Sequence, residues 1–220
     1  MTQSFKFISL LSGGLDSVVN LFLAHKSGLV LRALTFDYGQ RAAAQEIKAA
    51  KYFSNFLDVS HEVITLPWLG KLTQTALVNI DMEMPAIKNL DDLEEGLGSA
   101  RKVWVPNRNG VFLNIASSFA ESMGADYVVP GFNKEEAATF PDNSQEYIEA
   151  CDKALSLSTL SHVKVKCFTT SFDKVAMAQE AAKLGIDFRK LWSCYEGNST
   201  PCLKCESCKR TTRALEVMGL

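Results

Sequence analysis

The sequence predicts an α/β fold: a doubly wound, mainly parallel sheet carrying a small four-cysteine zinc module at its C-terminal end. Three observations predict it. Five short apolar runs alternate with stretches of helical period, the pattern of parallel strands joined by helices. A Ser-Gly-Gly loop breaks the first apolar run where a helix should begin. Four of the six cysteines fall within residues 194–208.

The elements follow in order. FKFISLL (5–11) reads as a buried strand, and 17–26 as a helix that stops at Gly28. VLRALTFDY is the second strand, followed by a helix over 41–57 through Ile47, Ala50, Phe53 and Leu57. HEVITL is the third strand. From 67 to 105 the periodicity fails, and acidic NLDDLEEGLGS reads as an exposed excursion; so long a connection in a compact domain is expected to be a lid or binding loop. Order returns over 110–123, where Phe112, Ala116, Phe119, Ala120 and Met123 line one face. DYVVPGF is the fourth strand and 144–157 a helix. VKVKCF alternates as an outer strand would, with Cys167 on the face of Val163 and Val165. A helix over 172–184 and a last one reaching about residue 218 complete the chain. The organisation expected is an α/β domain over 1–190 and a zinc module over 191–220 packed on it.

Composition excludes several function classes. Hydrophobic residues at 47% against 22% charged allow a real core and argue against disorder. A net charge of −2 argues against a general nucleic-acid clamp, which needs clustered Lys and Arg. No segment approaches the roughly 18 uninterrupted apolar residues of a membrane span, and the start lacks a signal-peptide pattern. The expected location is therefore cytoplasmic, where thiols stay reduced. Cys151 and Cys167 fall on apolar faces and are expected in the core, and isolated His25, His61 and His162 at or near the surface.

Ligands of such sheets sit beyond the carboxyl ends of the strands, at the turn into the next helix. Ser12-Gly13-Gly14-Leu15-Asp16-Ser17 lies there. Gly13 and Gly14 free the backbone N–H groups to form an anion nest at a helix N-terminus, and Ser12 and Ser17 add hydroxyls. Asp16 would repel phosphate, so it reads as a Mg²⁺ partner or as an acceptor that orients the loop. The competing reading is an ordinary turn with a Ser or Asp cap. No Walker-type G-x-x-x-x-G-K-[ST] occurs.

Cys194, Cys202, Cys205 and Cys208 are spaced C-x7-C-x2-C-x2-C, which closes a tetrahedral four-thiolate site. Zinc is the first choice and an iron–sulfur cluster the alternative, although no Cys-Pro partner follows. With no open position the metal is expected to be structural, with Lys204, Lys209 and Arg210 offsetting its negative charge.

The SGGLDS loop resembles that of the PP-loop ATP pyrophosphatases, a group with NAD, GMP and asparagine synthetases that cleaves ATP between the α and β phosphates. That resemblance implies ATP binding along Leu11, Ser12, Gly13, Gly14, Leu15, Asp16, Ser17, Val18, Val19, Asn20 and Leu21. Together with FDYGQR (36–41), VPNRN (105–109), GFNKEEAATFPD (131–142) and WSCYEGNSTPCLKCESCKR (192–210), it resembles the 7-cyano-7-deazaguanine synthase family along nearly the whole chain. The resemblance implies a carbon–nitrogen ligase of queuosine biosynthesis that converts 7-carboxy-7-deazaguanine and ammonia to a nitrile with ATP, through adenylates and an amide. It also makes a homodimer plausible.

Three departures from the family pattern stand out. Asn107 and Leu203 replace usual glycines, and Glu136 to Asn143 replaces Asp-x-Ser-Gly-Tyr-Pro-Asp-Cys. Asp142 reads either as an acceptor for the deazapurine N–H groups or as part of a helix cap, since Asn143-x-x-Glu146 resembles a capping box. Arg108, with Asn109 beside it, pairs with the substrate carboxylate or a phosphate, or else is exposed before a helix. Lys174, in a helix's first turn where a cation is disfavoured, contacts pyrophosphate or else is a surface lysine. Tyr38, Gln40 and Arg41 are candidates to shape the pocket. The alternative functions are a PP-loop enzyme that thiolates tRNA, another amide-forming ligase, and a zinc-ribbon binding module without turnover.

Overall fold

A computed structural model describes residues 4–219. β1 (Phe5–Leu10), β2 (Gly28–Asp37), β3 (His61–Thr65), β4 (Tyr127–Val129) and β5 (Lys164–Val165) form one sheet in the order β3-β2-β1-β4-β5, and every pairing is parallel. Strand order reverses beside β1, so a crevice opens beyond the carboxyl ends of β1 and β4.

Both faces of the sheet are covered, as parallel strands require. Phe7 and Ile8, consecutive on β1 and both fully buried, point to opposite layers. On the Phe7 side lie α1 (Leu15–Ser27), α2 (Ala43–Phe56), α8 (Lys174–Lys183) and α9 (Glu206–Val217), contributing Val18, Phe53, Met177 and Ala214 among others. On the Ile8 side lie α5 (Arg108–Met123) and α7 (Gln145–Ser158), through Leu113, Ala116 and Ile148. Cys151 and Cys167 pack against this second layer.

Strands 4 and 5 are shorter than their apolar runs. Pro130 cannot donate to a ladder, so β4 ends at Val129 and is in register only with Lys164 and Val165, the Lys166 N–H adding a last bond to the Val128 carbonyl at 2.9 Å. α1 begins at Leu15, two residues before its apolar stretch, so half of SGGLDS is already helical. Ser144, not Asn143, caps α7, its Oγ accepting the Tyr147 N–H at 3.1 Å.

The excursion at 67–105 is corrected by the structure. It holds α3 (Pro67–Lys71) and α4 (Leu93–Val103), and it buries Leu69, Ala76, Leu77, Ile87, Ala100 and Val103. Its acidic run is a capping device: the Asp92 carboxylate accepts the N–H groups of Glu94 and Glu95 at 3.0 and 3.1 Å. Among the described residues no helix is long and apolar enough to cross a membrane.

Candidate active site at the first strand–helix turn

The turn after β1 owes its shape to two contacts. Gly13 has φ +79°, and a Cβ there would fall 2.5 Å from Ala49 Cβ and 2.9 Å from Ala50 N, so only glycine lets α2 approach this closely. Beyond it, α1 starts at Gly14 with no side-chain cap, and its first N–H groups are left for a ligand. Their protein partners are distant: Ser12 Oγ from Gly14 N and Ser193 Oγ from Leu15 N, both at 3.4 Å. Ser12 and Ser17 hydroxyls meet at 3.1 Å, and Ser17 Oγ also donates to the Gly14 carbonyl. From the far side Gly131, just after β4, presses so closely that a Cβ would lie 2.6 Å from Ser17 N.

This uncapped turn opens into a cavity of about 220 Å³. Leu11, Ser12, Gly14, Asp16 and Ser17 line it, whereas Gly13, Leu15, Val18, Val19, Asn20 and Leu21 do not. From Leu15 on, the helical period turns the apolar side chains into the core, and Asn20 instead ties α1 to the segment after β5, accepting the Phe168 N–H at 2.9 Å. The opposite wall is aromatic: Phe36 and Phe112 stack with centroids 4.1 Å apart and 5° between planes, and Tyr38 and Phe140 flank them. Arg108 lines the cavity, with Nη1 3.3 Å from Tyr38 Oη, and Asn109 beside it is buried. Asp142 is half-buried outside the lining. Its carbonyl accepts from Asn109 Nδ2 at 3.5 Å and its carboxylate from Asn143 Nδ2 at 3.1 Å. Burial pushes the Asp142 carboxyl up against the pull of Arg108.

Lys174 is only 2% exposed, so the surface-lysine reading fails. Its Nζ donates to Asp16 Oδ2 and, at 2.8 Å, to Glu136 Oε1. Burial alone would lower its pKa, but the two carboxylates reverse this and raise it. Burial pushes the Asp16 carboxyl up to about 6 despite Lys174, with Glu136 adding to the rise. Asp16 Oδ1 is buried with no hydrogen-bond partner, an oxygen free to meet a cation.

Gln40 lines the cavity and also braces its wall, whereas Arg41 lies outside the lining. Gln40 accepts the Tyr38 N–H at 3.0 Å and donates to the Phe36 carbonyl and to Glu46. Arg41 staples the excursion to the cysteine segment through the Asn79 carbonyl at 2.6 Å and Glu196 at 3.0 Å.

The four cysteine sulfurs lie within 4.8 Å of one another, with Cys202 and Cys208 at 4.0 Å. A tetrahedral zinc with bonds of ~2.3 Å sets sulfurs about 3.8 Å apart, so the donor set fits. The N–H groups of Glu196 and Cys202 point at Cys194 Sγ, and that of Cys205 at Cys202 Sγ, each at 3.3 Å. Such donors suit thiolates held by a metal. Arg210 does not offset the sulfurs' charge as expected: it turns to Glu206 and Glu135. The segment also closes on the turn, the Trp192 N–H donating to the Gly13 carbonyl at 2.9 Å.

Sequence reasoning missed Glu136, Glu46, Trp192, Ser193 and Tyr195, all lining the cavity. All but Glu46 fall within the family-like stretches 131–142 and 192–210, but nothing in those stretches singles them out.

These features define the class: an α/β protein with a doubly wound parallel sheet whose first strand–helix turn is shaped to hold an anion. A structure of a 4-thiouridine synthetase–RNA complex with bound ATP shares the fold, with TM-score 0.51 and 17% identity over 97% of this chain and 52% of that one. The family model described as "Queuosine biosynthesis protein QueC" matches residues 6–219, and the chain belongs to that family. Among its relatives, the 7-cyano-7-deazaguanine synthase of Pelotomaculum thermopropionicum is 48% identical over 97% of both chains. That of Methanosarcina mazei is 47% identical over 98% of this chain and 95% of its own.

Proposed function

We propose that this chain is a carbon–nitrogen ligase that makes 7-cyano-7-deazaguanine from 7-carboxy-7-deazaguanine, ammonia and ATP. The observation that carries it is one shared cavity: the uncapped start of α1 opens onto the same space as Arg108 and the Phe36–Phe112 wall. An anion cradle, a cation for a carboxylate and a flat aromatic surface for a fused ring are what the reaction needs together. The near-full-length likeness to synthases of that name supports the choice of substrate.

In this reading the triphosphate lies with its β and γ phosphates against the N–H groups of Gly14 to Ser17 and the Ser12 hydroxyl. Arg108 holds the acid's carboxylate, with Asn109 beside it, and the ring lies on the aromatic wall with Asp142 at the rim. A carboxylate oxygen attacks the α phosphorus, and pyrophosphate departs into the cradle. Ammonia attacks the acyl adenylate, releasing AMP and leaving the amide. The amide oxygen then attacks a second ATP in the same way, and loss of AMP with the remaining N–H protons gives the nitrile. No protein nucleophile is required, so the chain contributes positioning and charge neutralisation. Lys174 moves from its carboxylate partners toward the departing pyrophosphate, and Asp16, whose Oδ1 is free, accepts Mg²⁺ accompanying ATP. Cys194, Cys202, Cys205 and Cys208 would hold zinc as a structural crosslink.

Purified protein given the acid, ammonia, Mg²⁺ and ATP is expected to release two AMP and two pyrophosphate per nitrile. ADP and phosphate as the only nucleotide products would overturn the proposal.

A further inference from the structure

A chain of buried and half-buried ion pairs joins the cysteine-bearing helix to the nucleotide turn. Arg210, on α9 two residues past Cys208, is buried. Its guanidinium is held by Glu206 one turn back, which accepts from Nε at 3.1 Å and Nη2 at 2.7 Å. That grip leaves Nη1 to donate to Glu135 Oε2 at 2.6 Å, an oxygen that also accepts from Arg213 at 2.9 Å. The other oxygen of Glu135 accepts the backbone N–H of Lys174 at 2.9 Å. Glu135 sits in α6 (Lys134–Ala137), where Asn133 caps the turn through the Glu136 N–H at 2.9 Å. Glu136, the next residue, takes the Lys174 ammonium.

We propose that Arg210 and Glu135 are positioning residues for Lys174, setting where the lysine stands relative to Asp16 and the anion cradle. A lysine head on a four-carbon stem is a poorly localised charge; what localises this one is the fixed start of α8 together with its two carboxylate partners. Glu135 fixes that start directly, and Arg210 fixes Glu135 with a planar fork that is itself clamped by Glu206. Removing the guanidinium leaves buried Glu206 without its counter-charge and half-buried Glu135 with Arg213 alone, so that Glu135 is free to follow that more exposed arginine and release the Lys174 N–H. The inference rests on the functional reading above, since it assigns Lys174 to the phosphates.

The test is Mg²⁺-dependent ATP binding, measured calorimetrically on the zinc-loaded full chain for wild type, Arg210→Met, Lys174→Met and the double variant. Arg210→Met is expected to keep one metal ion per chain and a cooperative melt, yet to bind ATP at least tenfold more weakly. In the double variant the loss should equal that of Lys174→Met alone, because Arg210 acts through the lysine; a merely structural role would add. Unchanged ATP affinity in Arg210→Met, fully additive losses, or a loss that appears only with departure of the metal would each overturn the inference. If Arg210→Met fails to fold, Glu135→Gln takes its place under the same criteria, keeping an acceptor for the Lys174 N–H but losing the charge that gathers the arginines. Wild-type protein that binds no ATP would sink the functional reading, and this inference with it.

Discussion

Leu203, between the second and third cysteines, holds φ +57°, and Asn107, just before Arg108, holds φ +52°. An asparagine tolerates this region, but a leucine pays about 1–2 kcal/mol for it. Leu203 is 64% exposed and loses little packing when removed. Leu203→Gly should therefore raise stability by about 1 kcal/mol after the extra unfolded-state entropy of glycine, seen as a higher thermal midpoint of the zinc-loaded protein. Asp16 gives a second prediction. Its carboxyl rises from 3.8 to about 6 on folding, so the folded chain holds the proton more tightly than the unfolded one. Stability from this group is therefore greatest at low pH and declines as pH rises from about 4 to 6. Asp16→Asn should flatten that part of a urea-midpoint profile taken in Mg²⁺-free buffer, and an unaltered slope would refute the assignment. The same variant should lower turnover far more than stability. Lys174 shows where residue-level reading stops: a cation in a helix's first turn signals something unusual, but its partners Asp16 and Glu136 are 158 and 38 positions away.

At the scale of elements, local periodicity was enough to locate all five strands and the long helices, because each buries a face whose period shows in the chain itself. It failed where an element's length depends on a neighbour. VKVKCF alternates over six residues, but β4 is in register with only two of them. It failed again at α4, which is no shorter than α8 but lies in the acidic stretch that starts at its Asp92 cap. The turn between β1 and α1 carries the sharpest test of packing. Gly13→Ala meets both an unfavourable φ and the backbone of α2, and should cost about 1–3 kcal/mol, read as a fall in the denaturation midpoint. The cysteine segment should respond differently. Cys205→Ser is expected to lose the metal first, by elemental analysis, and to lower the melting temperature as a consequence.

Across the whole molecule, the cavity is assembled from segments around residues 10–17, 34–46, 108–112, 130–143 and 192–195, with Leu77 and Val103 from the 67–105 excursion and Ser207 from α9. The sequence announced the first through its glycines and flagged Arg108, Asn109 and Asp142 by family likeness. Ser193 and Tyr195 lie inside the WSCYEG stretch, but their contribution carries no signal of its own, since it arises only when the chain folds back on its first turn. Metal removal should therefore weaken ATP binding even though no cysteine lines the cavity, because the Trp192–Gly13 and Ser193–Leu15 bonds tie the cysteine segment to the glycine turn proposed to hold ATP. Calorimetry before and after zinc extraction checks this, and full retention of affinity would argue against it.

The hydrogen bond from Trp192 to Gly13 also orders events in time. On the ribosome, the glycine turn is made long before the loop segment at residues 192 and 193 that closes on it. Until residues 192 and 193 follow, the nascent turn lacks two of its bonds, and a chain interrupted before them is expected to hold ATP less firmly than the finished protein.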